Sequence, residues 1–262
     1  MSTEQLRASF LVQNLFVAGE IGFRHIDLDR VVLGGAVPTS AALRLAAPES
    51  LAAEHFTERR ELAVLNIGAA GGISVDDERF DVQNKDILYI GRGHRDVHFE
   101  SDDPGNPARF YIVSYPAHNS HPTTLVRRAE VQGADVGDAS HANQRRIARY
   151  VHAGGARSDQ LVIGVTELSD GSVWNTIPTH THHRRTEVYL YFGLPADSVV
   201  VHLMGEPEQT RHLVVRDGEA VLSPGWSIHA GCGTTSYSFC WAMGGENQDY
   251  TDMQSVTLNS LR

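Results

Sequence analysis

Residues 59–68 and 184–193 align without a gap: a double arginine, an apolar run and a terminal glycine recur nearly half a chain length later. A second pair, 85–96 and 218–229, repeats a layout of turn, apolar run and glycine-bearing corner. Such self-similarity restricts the chain to two copies of one folding unit. The expected division is a first unit over residues 1–135 and a second over 136–262. The same alignment sets His55 opposite His180, Thr57 opposite His182, Leu62 opposite Glu187 and Asp96 opposite His229. Only the second copy holds a full set of metal-ligand residue types, so the first reads as structural or as an interface.

Each copy is written in β-strand language. Short runs such as LAVLNIG (62–68), DILYIG (86–91), LVIGVTEL (161–168), EVYLYFG (187–193) and YSFCWAMGG (237–245) are separated by Gly, Asp, Asn and Pro. Strands of this length and spacing predict an all-β sandwich or barrel and not a βαβ fold. Helix is expected only in short pieces, near the N-terminus and around residues 41–60. The stretch 116–159, rich in Gly, Pro, Asn and Asp, predicts a crossover between the two barrels. Within it, RRIARYVHA (145–153) fits a helical turn or a strand, and periodicity does not decide.

Composition narrows the function. At −10 the formal charge opposes a nucleic-acid footprint, which needs clustered Lys and Arg against phosphate. The basic pairs at 59–60, 127–128, 145–146 and 184–185 read as solvated surface. No apolar run approaches bilayer-spanning length and the N-terminus lacks a signal-peptide pattern, so the expectation is a cytoplasmic protein without a membrane partner. Two cysteines, Cys232 and Cys240, are too few for a disulfide scaffold and read as buried or strand thiols. Of the 22 lysines and arginines only Lys85 is a lysine, and its polar NKD turn is a poor place for Schiff-base chemistry.

The chemistry gathers in the second copy. His180 and His182, two residues apart, project to one face of a strand. Glu187 follows at an odd separation, so a turn within residues 183–186 must bring it back to that face. His229 arrives on a later strand behind the Pro224-Gly225 corner. Three imidazoles and one carboxylate suit zinc, iron, manganese, cobalt or nickel, with positions left for substrate oxygens or water. Zinc, one ion per chain, is the first expectation. An isolated HxH pair also arises by chance among 14 histidines; the downstream Glu and the Pro-Gly-x-x-x-His strand are what lift this one above that reading.

These motifs resemble the cupin superfamily. Gly171, His180, His182, Glu187 and Gly193 match its first signature, and Gly218, Pro224 and His229 its second, with Trp226 standing where a further glycine is usual. Over nearly the whole chain the sequence is similar to the 5-keto-4-deoxyuronate isomerases, also called 4-deoxy-L-threo-5-hexosulose-uronate ketol-isomerases. The carrying segments are FLVQNLFVAGE (10–20), ERRELAVLNIGAAG (58–71), GVTELSDGSVWNTIPTHTHHRRTEVYLYF (164–192), MGEPEQTRHLVV (204–215), LSPGWSIHAGCGT (222–234) and GENQDYTDM (245–253). His183 departs from the acidic residue expected there. The resemblance implies two tandem cupin barrels and a zinc-dependent aldose–ketose isomerase of pectin and uronate breakdown, acting on a small sugar acid and assembling as a homohexamer.

A ketol-isomerase moves a hydrogen between adjacent carbons as a carbonyl and a hydroxyl exchange places, and a cation lowers the cost of the charge that develops on oxygen. Arg184, Arg185 and Arg211 are candidates for the substrate carboxylate; each also fits a turn or surface arginine. Strand alternation carries Tyr189 and Tyr191 to the face of Glu187. Tyr189 is a candidate for substrate binding, Tyr191 for catalysis, and Glu206 a candidate base through its loop. The same quartet also fits an iron-dependent cupin dioxygenase, and the barrel alone fits a non-catalytic sugar-acid binder.

Overall fold

The computed structural model describes residues 1–262 and is built almost entirely of strands. Two compact units emerge. One comprises residues 1–13, 132–149 and 164–262, and the other residues 14–131 and 150–163. The N-terminal thirteen residues thus cluster with the C-terminal barrel, and a short piece of the crossover with the N-terminal one.

The N-terminal unit pairs a six-stranded antiparallel sheet with a four-stranded one. In the first sheet, Arg60–Asn66 lies between Ile87–Ile90 and Phe110–Pro116, with Leu62 opposite both Ile90 and Ser114. In the second, Gly71–Val75 lies between Glu78–Val82 and Val97–Ser101. Asp76, at φ +49°, begins the two-residue hairpin turn that joins Gly71–Val75 to Glu78–Val82, a place where short polar side chains tolerate the left-handed region. The inner faces meet in an apolar core of Leu62, Val64, Ile73, Leu88, Ile90, Phe99, Phe110 and Ile112, all fully buried. Phe99 and Phe110, one from each sheet, pack with ring centroids 5.4 Å apart.

The C-terminal unit repeats the plan. Its larger sheet places Arg185–Phe192 between Ala220–Ser223 and Ser238–Gly245, with Glu187 opposite Ser223 and Met243. Val162–Leu168, Arg145–Val151 and Gly133–Val136 continue that sheet beyond Ser238–Gly245. Trp174–Asn175, Ile228–Gly233, Val200–Glu206 and Gln209–Val215 form the second sheet. Glu187 therefore meets Ser223 as Leu62 meets Ile90, in the register anticipated from the two sequence alignments. Here the inner faces meet through polar groups: the Tyr191 hydroxyl and His202 Nδ1, one from each sheet, are 2.7 Å apart.

Local structure agrees with much of the sequence reading. The N-terminal helix, Thr3–Phe10, is closed by a reciprocal capping box in which the Ser2 hydroxyl accepts from the Gln5 amide and the Gln5 side chain accepts from the Ser2 amide. Around residues 41–60 the only helix is the single 3-10 turn Glu49–Leu51, beside the two-residue strand Leu43–Arg44. RRIARYV is strand, because its partner Gly133–Val136 and a place in the large sheet supply backbone pairing that its sequence alone does not announce. The crossover is accordingly more structured than its composition implies, holding also Thr124–Val126. Cys232 and Cys240 are free thiols on strands, the second fully buried. No helix is long and apolar enough to cross a membrane.

Candidate metal centre

Within the C-terminal unit, His180, His182, Glu187 and His229 bring one ligand atom each to within 4.8 Å of one another. The sequence explains how. His180 lies on the short strand His180–Thr181, which pairs with Gln254–Ser255. A turn at His183 and Arg184 then restarts the chain as Arg185–Phe192, returning Glu187 to the ligand face as its odd spacing requires. His229 comes from Ile228–Gly233 in the other sheet. The corner before it is tight: a Cβ on Gly225 would lie 2.5 Å from the His182 carbonyl, and the His182 amide donates to the Gly225 carbonyl at 3.2 Å. Gly225 thus meets the close approach itself, while neighbouring Trp226 is half exposed with Phe10 edge-on against it at 6.2 Å.

The donors fit one cation. His180 Nε2 lies 3.2 Å from His182 Nε2 and 3.0 Å from His229 Nε2, and Glu187 Oε2 lies 3.1 Å from both His182 Nε2 and His229 Nε2. Bonds of about 2.0–2.2 Å to a common centre would hold neighbouring donors roughly 2.9 Å apart at a right angle and roughly 3.4 Å apart at the tetrahedral angle. These four separations fall between, and no pair of the set is wider than 4.8 Å. Their outward nitrogens have partners: His182 Nδ1 lies 3.1 Å from the Asp252 carbonyl, an acceptor that turns the Nε2 lone pair toward the centre, and His229 Nδ1 lies 3.2 Å from the Ser223 hydroxyl. Burial, reinforced by His182 and Arg185, pushes His180 down to about 3, and burial with the neighbouring histidines holds His229 well below its usual value. Both rings are therefore neutral near pH 7, the form that binds metal.

Above the quartet is a cavity of about 170 Å³, lined on the sheet side by alternate residues of four adjacent strands. Glu187 and Tyr189, then Phe239, Trp241 and Met243, then Thr166, then Arg145 and Ile147 form that wall. Thr176, Pro178, Tyr250 and Met253 close it from loops. The loop carrying Tyr250 and Met253 is tied to the site, since the Asp252 carbonyl also accepts from Arg185 Nη2 at 2.7 Å and its carboxylate pairs with Arg184 at 2.9 Å.

The other sequence candidates divide. Tyr189 lines the cavity, and its hydroxyl lies 3.1 Å from the Thr176 hydroxyl. Tyr191, one strand repeat further on, sits outside the cavity lining and is bonded within a fully buried group with His202, Asn175 and Tyr237. Arg185 is buried with its guanidinium against the Asp252 carbonyl, and Arg184 is an exposed partner of Asp252; neither lines the cavity. Glu206 and Arg211 are not brought to the metal quartet, but line a separate groove with Met1, Leu6, Phe10 and Trp226. His183 is exposed and lines another recess with Thr181, Pro207, Gly225 and Trp226. Sequence reasoning missed Arg145, Thr176, Tyr250 and Met253 as cavity residues. The one available signal is the arginine pair at 145–146, which by sequence alone reads as surface.

Known proteins resemble this chain over nearly its whole length. Residues 16–257 match the KduI/IolB family. A protein of Kineococcus radiotolerans described as 4-deoxy-L-threo-5-hexosulose-uronate ketol-isomerase is 52% identical over all of this chain and 95% of its own length. Another of the same description from Caldicellulosiruptor bescii is 47% identical with the same coverage. Among solved structures, an IolB-like protein of Salmonella typhimurium superimposes with a TM-score of 0.72 at 13% identity, covering 86% of this chain and 87% of that one. Tomato vicilin superimposes at 0.53 with 9% identity over 83% of this chain and 75% of its own. From the match along nearly its whole length and the identity to these relatives, the chain belongs to the KduI/IolB family.

Proposed function

We propose that the protein is a divalent-metal-dependent ketol-isomerase interconverting 5-dehydro-4-deoxy-D-glucuronate and 3-deoxy-D-glycero-2,5-hexodiulosonate in the breakdown of pectin and other uronates. The observation that carries this reading is the convergence of three imidazoles and one carboxylate at the wall of a small cavity, in a chain about half identical to proteins named for that reaction. His180, His182, Glu187 and His229 would hold one cation per chain, zinc by preference. When bound, that cation would polarise the substrate carbonyl and hold the neighbouring oxygen.

The surrounding residues prepare the site for such chemistry. Tyr189 is fully buried beside Glu187, and burial raises its phenol well above the usual value. It stays protonated, so its role is to donate a hydrogen bond to a substrate oxygen while Thr176 orients it. Trp241 and Phe239 give the sugar carbons an apolar wall, with the indole N–H satisfied by the Thr166 hydroxyl at 3.2 Å. The loop bearing Tyr250 and Met253 limits access of water, which strengthens every polar contact inside. The first barrel, whose interior is filled by apolar side chains, serves as scaffold. We place the enzyme in the cytoplasm, as a homohexamer.

The test is to follow 5-keto-4-deoxyuronate by NMR with protein as purified, after chelation and after zinc is restored. Conversion that disappears with the metal and returns with it is the expected result. Conversion unaffected by complete metal removal would end the reading, and oxygen uptake by iron-loaded protein without isomerisation would turn it toward a dioxygenase.

A further inference from the structure

The substrate of the proposed reaction carries a carboxylate, and the structure assigns its anchor to Arg145, at the far end of the cavity from the metal quartet. This inference rests on the isomerase reading and supplies the group that recognises the acid.

Arg145 is the one arginine or lysine among the cavity-lining residues. It opens the strand Arg145–Val151, three strand positions from Arg185–Phe192 in the same sheet, with Ser238–Gly245 and Val162–Leu168 between them. Three spacings of about 4.8 Å separate the two backbones by roughly 14 Å along the sheet, and side chains leaning in from both ends shorten the gap to the length of a short carbon chain. Phe239, Trp241 and Met243 from one intervening strand and Thr166 from the other pave the space.

The guanidinium is free to take an anion. Its one protein hydrogen bond runs from Nη1 to the Asn143 carbonyl at 2.7 Å, and no carboxylate pairs with it. Its electrostatic neighbours are Tyr189, Tyr237 and Tyr250, phenols that are neutral near pH 7. Burial accordingly holds the arginine below its ordinary value without a counterion to restore it, although it remains charged. A carboxylate arriving at this group gains a planar, partly desolvated partner with unused donors. Other arginines near the site are engaged: Arg184 with the Asp252 carboxylate, Arg185 with the Asp252 carbonyl, and Arg149 over the Tyr250 ring at 5.0 Å.

Polarity gives the substrate a direction. Arg145 is the only fixed side-chain cation of the wall, so an acid group held there leaves the metal end to the reacting oxygens. The reacting carbonyl and hydroxyl are then delivered to the cation while the acid group is held across the cavity.

The experiment uses full-length, zinc-loaded Arg145→Gln and Arg145→Lys beside the wild type. We measure zinc content, kcat and KM for the keto-uronate, and direct calorimetric binding of D-glucuronate and of D-glucose, which lacks the carboxylate. Arg145→Gln is expected to keep its zinc, raise KM about 10- to 150-fold, the range for lost charged hydrogen bonds, and lose the wild-type preference for glucuronate over glucose. Arg145→Lys should recover part of both, since it keeps the charge and not the fork. An Arg145→Gln protein with full zinc, unchanged KM and undiminished preference for glucuronate overturns the assignment while leaving the isomerase reading intact. A wild type that turns over no keto-uronate, yet prefers glucuronate in an Arg145-dependent way, upholds the anchor and sinks the reaction.

Discussion

Leu62 and Glu187 occupy the same position in two copies of one strand, and the barrels around them have used that position in opposite ways. Leu62 faces Val64, Leu88, Ile90 and Ile112 in a closed apolar core. Glu187 faces His182 and His229 at 3.1 Å, with Tyr189 and Tyr191 next along the same face. Arg60 and Arg185, two residues earlier, stay alike: both are buried, and both donate to backbone carbonyls, of Arg30 and Ser114 in one case and of Asp252 in the other. This scaffold arginine is shared by the two copies, while the interior residues differ. Each buried Leu or Ile in the first interior contributes about 1.5–3 kcal/mol, and the second interior forgoes much of that to keep polar atoms and a cavity. A duplicated barrel lets one copy supply packing while the other accepts the cost of a site.

The largest test of that contrast removes the site. Glu187→Gln or His229→Ala should abolish turnover together with bound metal, measured by NMR conversion and elemental analysis on the same sample. An active, metal-replete His229→Ala would break the contrast at its centre. Leu62→Ala comes next and should do the reverse. It opens a cavity in a core with no exposed member, at a cost of about 2–5 kcal/mol in denaturant unfolding, while metal per folded chain stays unchanged. Equal loss of metal in both variants would mean that the two interiors are not separable in function.

Tyr189→Phe sharpens the comparison inside the second barrel. It removes one hydroxyl from the cavity wall and leaves the ring packed on Phe239 at a centroid distance of 4.8 Å. The expected result is retained metal with kcat lowered about a hundredfold to a thousandfold, as for loss of one donor to a developing oxyanion. Tyr191→Phe, outside the cavity, should instead act on stability through the unpaired His202. If Tyr191→Phe lowers kcat more than Tyr189→Phe, the assignment of the two tyrosines must be exchanged.

The parts of this molecule that could be read in the sequence are those fixed by local rules. The strand runs, the duplicated register and the metal quartet all follow from spacing along one or two strands, including the turn that Glu187 requires. What could not be read depends on which loop or distant strand folds over a site. Arg145 looks the same as any surface pair until Gly133–Val136 and Val162–Leu168 place its strand in the cavity wall. Arg211 has the chemistry to bind a carboxylate, yet strand pairing sets it on another groove. Tyr250 and Met253 reach the cavity only because the Asp252 backbone is held by His182 and Arg185. Residues 41–60 have helix-compatible composition, and tertiary pairing of Leu43 with Phe99 overrides it.

The smallest expected effect concerns His55, which stands where His180 stands in the second copy. Both of its ring nitrogens are buried without a hydrogen-bond partner, and Thr57, the counterpart of His182, donates its hydroxyl to the His94 carbonyl. Asp96, the counterpart of His229, is tied to Arg44 at 2.7 Å. None of these residues belongs to a cluster of metal-ligand side chains such as the one in the second copy. His55→Ala should leave metal content unchanged and shift stability by less than about 1 kcal/mol, because giving up the packing of the ring is offset by removing two unsatisfied polar atoms. Elemental analysis beside a denaturant titration measures both quantities. A loss of metal in this variant would show that the first barrel still contributes a ligand, and the division of labour between the two interiors would have to be abandoned.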